Sequence, residues 1–199
     1  MEYLVMQLKK WGIHDIILSV GYKKEKIISY FSTGLNWATG IRYVQEDVSL
    51  GTGGAIREAL VTIDDTNVVV LNGDSFIDAD IHTLVDFHNT KDALVTLALK
   101  EMSDTGRYGR VKIDEDGKII SFKEKLGNQK GLINTGMYVV NRKILPYLLA
   151  GELSFENEVL PGLINNGAFG LTQKGFFIDI GIPDDYSSLC QNPHALTIT

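Results

Sequence analysis

The stretch Val68-Val69-Val70-Leu71-Asn72-Gly73-Asp74 decides the fold. An apolar run without polar alternation reads as a strand covered on both faces, and Asn-Gly-Asp ends it with turn chemistry. Downstream, Ile81, Leu84, Val85 and His88 recur at i, i+3, i+4 and i+7, which predicts a helix. Upstream, the loop Leu50-Gly51-Thr52-Gly53-Gly54-Ala55 opens onto a helix ending near Val61. Before it come a strand around Ile41 to Glu46, a helix over Lys24 to Phe31 and a strand within Asp15 to Tyr22. An amphipathic helix with Leu4, Leu8 and Trp11 on one face begins the chain, and Gly12 stops it. Alternating strands and helices predict an α/β fold of three layers, with a mostly parallel sheet between helices.

The second half is richer in strands, at Ala93 to Glu101, Gly109 to Asp114, Lys118 to Lys125 and Leu132 to Asn141. Asp114-Glu115-Asp116-Gly117 is a turn signal that predicts a hairpin. A helix around Phe155 to Ile164, a strand ending at Asp179 and a short helix after Pro183 complete one domain over residues 1–199. The net charge of −6 and the lack of a basic stripe argue against a nucleic-acid binder. Cys190 is the sole cysteine, which excludes an intrachain disulfide and fits a cytoplasmic setting. No apolar run is long enough for a membrane span.

Phosphate-loop, dinucleotide-fingerprint, zinc-hydrolase and serine-elbow motifs are all absent. His14, His82, His88 and His194 are scattered and read as core or surface residues. Asp74 stands at the carboxyl end of the best strand, where ligands of open α/β sheets sit, and is a natural ligand for Mg²⁺ bound to phosphates. An Asp there also serves as a turn or cap residue. The glycines of the Leu50–Ala55 loop would let backbone N–H groups approach a ligand at a helix N-terminus. Lys123 and Lys125 would bind a phosphate as point charges or protect a strand edge.

In order and spacing, Leu50-Gly51-Thr52-Gly53-Gly54-Ala55, Asn72-Gly73-Asp74, Tyr108-Gly109, Glu124-Lys125, Asn134-Thr135-Gly136-Met137-Tyr138 and Asp179-Ile180-Gly181-Ile182-Pro183-Asp184-Asp185-Tyr186 resemble the sugar-nucleotidyltransferase family. Arg107-Tyr108-Gly109 and Phe177-Ile178-Asp179-Ile180-Gly181 resemble its D-glycero-α-D-manno-heptose 1-phosphate and mannose-1-phosphate guanylyltransferases. The resemblance implies a Rossmann-like nucleotidyltransferase fold and transfer of a nucleotidyl group, GMP from GTP, to a sugar 1-phosphate with release of pyrophosphate. It implies a nucleotide-binding half at 1–90 and a sugar-phosphate-binding half at 91–199. Asp74 and Asp179 would hold Mg²⁺, and Lys125 beside Glu124 would bind the sugar phosphate. Gly109 and Gly136 would touch the sugar, Gly51 and Thr52 the base, and Glu46 would read guanine through its acceptor-only carboxylate. Self-association stays open.

The family's first strand and its G-G-x-G-T-R loop have no counterpart here, so the strands at Ile16–Val20 and Val68–Leu71 should flank a vacant position. That departure carries two other readings, a non-catalytic paralogue that binds sugar phosphate or nucleotide, and a chain of impaired activity. Asp78-Ala79-Asp80 supports a third, a nucleotide-sugar-dependent glycosyltransferase of the GT-A type, although Asp80 also suits a helix N-cap.

Overall fold

The computed structural model describes residues 1–123 and 129–191. Helix α1 (Glu2–Lys10) carries Glu2 in its first turn and Lys9 and Lys10 in its last, complementing the helix dipole, and buries Leu4, Val5 and Leu8. Gly12, at φ +76°, ends it. There follow β1 (Asp15–Val20), α2 (Lys24–Phe31), β2 (Gly40–Gln45), α3 (Gly51–Leu60), β3 (Asn67–Leu71), β4 (Ser75–Ile77) and α4 (Ile81–Thr90). The second half contributes β5 (Val95–Met102), β6 (Arg110–Ile113), β7 (Ile119–Lys123), β8 (Gly131–Asn141), a π-helical turn at Phe155–Val159, α5 (Leu160–Leu163), β9 (Ala168–Thr172), β10 (Phe177–Asp179) and α6 (Pro183–Gln191).

Strand β8 is the spine of the main sheet, whose order is β7-β6-β8-β5-β9. Along one edge of β8 runs β5. Along the other edge, β6 pairs at Leu132 and Ile133, and β3 pairs from Met137 to Asn141. Both ladders are antiparallel, so the carboxyl end of β3 and the start of β6 meet over residues 134–136 of β8. Opposite that meeting point, β8 takes four residue steps from Asn134 to Tyr138 where β5 takes two, from Leu99 to Leu97. The resulting bulge places Gly136 at φ +76°. Bulges of this kind redirect side chains and recur beside functional sites.

The α/β class and the three layers are as the sequence predicts. One face of the sheet packs α3, α5 and the 155–159 turn through Ile56, Leu60, Phe155, Leu160 and Tyr138. The other face packs α4 through Ile81 and Leu84, and α1 through Val5 and Leu8. The expected parallel character is corrected. Among the described residues only β1–β2 and β5–β9 pair in parallel, and the other ladders are antiparallel. The reason is that β8 returns between β3 and β5 and reverses direction against both. β1 pairs with β2 and β3 with β8, and no ladder joins β1 to β3 among the described residues. Every residue of β3 is therefore half-buried, although its sequence predicts full cover. The 114–117 hairpin forms as expected, with Gly117 at φ +81° and the Asp114 carboxylate accepting from the amides of Asp116 and Lys118.

Candidate active site

The site grows from the meeting point of β3 and β6. Beyond β3, the amide of Asn72 donates to the carbonyl of Gly136 at 2.8 Å, which seats the Asn-Gly-Asp turn against the β8 bulge. A side chain at Gly136 would collide with Asn72, whose Nδ2 lies 2.8 Å from the place a Cβ would occupy. Gly136 is thus required twice, by its positive φ and by this close approach. The start of β6 joins from the opposite side, where the carbonyl of Gly109 accepts from the amide of Asn134 at 3.0 Å.

Asp74 and Asp179 converge although far apart in sequence. Strand β10 pairs antiparallel with β4, opposing Asp179 to Ser75, and the amide of Ile180 donates to the carbonyl of Asp74. Asp179 Oδ1 and Asp74 Oδ2 lie 3.0 and 3.7 Å from the point where a Gly181 side chain would begin. Their separation is at most the sum of those distances, well inside the ~10 Å beyond which no single cation with ~2.1 Å bonds could join them. Two carboxylates facing a space kept open by a glycine are a hard-oxygen donor pair suited to a divalent cation. Among the described residues no third His, Cys, Asp or Glu joins them, so water and substrate oxygens would complete the shell. Arg107 closes one flank by pairing with Asp185 of α6 at 2.7 Å, which ties the loop before Gly109 to the segment after Asp179. Tyr108 packs edge-on against Phe177 beside it.

The glycine-rich loop differs from its reading in the sequence. The amides of Gly53 and Gly54 donate to the carbonyl of Leu153, not to an open cradle. A Cβ at Gly51 would lie 2.6 Å from that carbonyl, and one at Gly54 2.6 Å from the carbonyl of Gly151. These glycines let α3 dock on the 151–153 backbone. Thr52 is held in the same way, its hydroxyl accepting from the amide of Phe155 and donating to Glu156 Oε2 at 2.6 Å.

Glu156 heads a network that sequence reasoning did not assign. Tyr138, fully buried on β8, donates its phenol proton to Glu156 Oε1 at 2.9 Å and accepts from Asn134 Nδ2 at 2.7 Å. Asn134 Oδ1 in turn accepts from the amide of Gly136. Burial, then the negative charge of Glu156, holds the Tyr138 phenol well above its ordinary range, so it stays a donor. The Asn134–Tyr138 motif was visible in the sequence. Glu156 was not, because the π-helical turn that aims it has no sequence signature.

Glu46 follows β2 and already uses both oxygens, one accepting from Ser19 Oγ at 2.8 Å and the other from the amide of Leu50 at 3.0 Å. It braces the start of the glycine loop, each oxygen using one lone pair in these bonds among the described residues. Glu124 and Lys125 lie outside the described residues. Asp80 caps α4, accepting from the amide and hydroxyl of Thr83, which lower its pKa. His88 is a core residue bonded to Thr96, and burial pushes its pKa down to about 4.

Residues 1–194 match the family model described as Nucleotidyl transferase. The chain belongs to that family. It is 40% identical over 188 residues to the D-glycero-alpha-D-manno-heptose 1-phosphate guanylyltransferase of Aneurinibacillus thermoaerophilus, covering 94% of this chain and 81% of the relative. It is 32% identical over 191 residues to the mannose-1-phosphate guanylyltransferase of Mycobacterium tuberculosis, covering 94% of this chain and 53% of that protein. Among solved structures, HddC from Yersinia pseudotuberculosis complexed with GMP-PN superposes with a TM-score of 0.82 at 33% identity, covering 96% of this nucleotidyl transferase chain and 84% of that one. Among the described residues no helix is long and apolar enough to cross a membrane.

Proposed function

We propose that the protein transfers GMP from GTP to a sugar 1-phosphate, a heptose or mannose derivative, making a nucleotide-activated sugar and pyrophosphate in the cytoplasm. The observation that carries this reading is the convergence of Asp74 and Asp179 beside Gly181, just beyond the point where β3 and β6 meet on β8. The two carboxylates would hold Mg²⁺, which prefers hard oxygen ligands and supplies charge neutralisation on the phosphates. Gly51 and Thr52 would meet the base through backbone atoms, the Thr52 hydroxyl being engaged by Phe155 and Glu156, and Glu46 would present acceptor lone pairs to the N–H groups of guanine. Gly109 and Gly136 would meet the sugar through backbone atoms, and Lys125, with Glu124 beside it, would hold its phosphate. A phosphate oxygen of the sugar 1-phosphate then bonds to the α-phosphorus of GTP as the bond from that phosphorus to the bridging oxygen breaks. No covalent enzyme intermediate is needed. The residues contribute alignment and charge compensation.

The test is pyrophosphate release by the full-length protein supplied with GTP, ATP, UTP or dTTP and a heptose or mannose 1-phosphate. GTP should be preferred, and release should require the sugar phosphate. Release without sugar phosphate, or preference for UTP or dTTP, would overturn the reading. The glycosyltransferase alternative loses support because Asp80 is engaged as a helix cap.

A further inference from the structure

Glu156 stands between the two parts of the site that the proposed function assigns to different substrates. One oxygen takes the hydroxyl of Thr52, in the first turn of α3, and the other takes the phenol of Tyr138 on β8. A carboxylate can only accept, so both hydroxyl protons must point toward it. That leaves the Tyr138 oxygen to accept from Asn134 Nδ2, which turns Asn134 Oδ1 onto the amide of Gly136. The orientation of the Asn134 amide, and with it the 134–136 bulge, is thereby set through Tyr138 by Glu156. At the other end, the amide of Phe155 donates to the Thr52 hydroxyl, which fixes that side chain to the turn bearing Glu156. The turn is π-helical, capped at its start by Ser154 Oγ accepting from the amide of Asn157. Such turns recur at functional sites because they aim one side chain at the cost of regular hydrogen bonding.

We infer that Glu156 is a positioning residue that couples the Thr52 loop to the 134–136 bulge, so that nucleotide and sugar 1-phosphate bind with positive cooperativity. The inference rests on the substrate assignment above. A ligand seated against Thr52 favours this order of hydrogen bonds through the shared carboxylate, and the second ligand then meets the same order at Asn134. Gln is the informative replacement because it keeps the size of the side chain. Its Nε2 end cannot accept, so one of the two hydroxyl protons loses its partner and the donor order along the chain is broken.

The experiment is calorimetric titration of α,β-methylene GTP into the full-length protein, with and without saturating heptose 1-phosphate. In the wild type the sugar phosphate should tighten nucleotide binding by roughly 5-fold or more. Glu156→Gln and Thr52→Val should each reduce that factor to less than about 2-fold, while Thr52→Ser, which keeps the hydroxyl, retains it. Should Glu156→Gln fold poorly by thermal melting, Thr52→Val and Tyr138→Phe carry the test. Retention of the wild-type factor in folded Glu156→Gln or Thr52→Val overturns the inference. A wild type that binds both ligands without mutual effect overturns this inference alone, whereas one that binds neither overturns the functional reading as well.

Discussion

Gly181→Ala tests the cation site without replacing either carboxylate. Gly181 is not among the glycines with positive φ, so alanine is compatible with its backbone. The added Cβ would stand 3.0 Å from Asp179 Oδ1 and 3.7 Å from Asp74 Oδ2. The first contact is closer than a methyl group and an oxygen ordinarily come, so the Asp179 carboxylate must yield by a few tenths of an ångström. It would do so while accepting from the amide of Gly181 at 2.8 Å, which limits where it can go. Octahedral Mg²⁺ with bonds near 2.1 Å tolerates little displacement of a ligand. Disturbing a ligand's support commonly costs about 10–100-fold in metal affinity. Stability should change little, since a substitution at an exposed position lies within roughly ±0.5 kcal/mol, or about 1–2 °C in a chain of this size. Pyrophosphate release measured across a Mg²⁺ titration should therefore show half-saturation shifted upward by at least about 10-fold, with a melting temperature close to wild type. An unchanged Mg²⁺ dependence would refute the placement of the cation between Asp74 and Asp179.

Three further outcomes follow from named groups. The neutral form of His88 is favoured in the fold, with a pKa of about 4 against 6.5 when exposed, so below pH 6.5 the unfolded chain binds a proton that the native chain does not. Urea unfolding should therefore show full stability above pH 6.5 and a loss of up to about 3 kcal/mol as the pH falls toward 4, a loss that His88→Leu removes. In Glu46→Gln, the amide oxygen can still accept from Leu50 and the amide nitrogen can donate to Ser19, so the loop should persist while preference for GTP over UTP falls about 10-fold or more. Unchanged selectivity would remove Glu46 as the base reader. The β3 amides that do not face β8 should exchange hydrogen at least about 100-fold faster than those of Val95–Leu99 in β5, which lies between two strands.

The helices and most strands were legible because their periodicities are strong and their ends carry chemical signals, as with Gly12 after α1 and Asp80 before α4. The strands β4 and β9 escaped notice. Ser75-Phe76-Ile77 is too short to show a pattern, and in Ala168-Phe169-Gly170-Leu171-Thr172 the strand formers are interrupted by Ala168 and Gly170, with pairing to β5 holding the segment extended. The antiparallel character of the main sheet was hidden for a related reason: the path of β8 between β3 and β5 is a long-range choice that no local window records. Asp74 and Asp179 could be read from their motifs, but not how close they come. That follows from the β4–β10 ladder, whose strands lie far apart in sequence. The glycines at 53 and 54 look in the sequence like a ligand cradle and form a packing surface for Leu153 in the fold, since a glycine needed for close approach looks the same whichever group approaches.

The proposed function has Asp74 and Asp179 acting as one unit in nucleotidyl transfer to a sugar 1-phosphate. It is tested most directly by the kinetics of pyrophosphate release, with GTP and heptose 1-phosphate at saturating Mg²⁺, for the wild type, Asp74→Asn, Asp179→Asn and the double variant. Residues that act as a unit are non-additive, so each single variant should lose roughly 100-fold or more in kcat/KM and the double variant should fall little further. Single variants that retain near-wild-type activity, or losses that multiply fully in the double variant, would show that the two carboxylates do not share one cation.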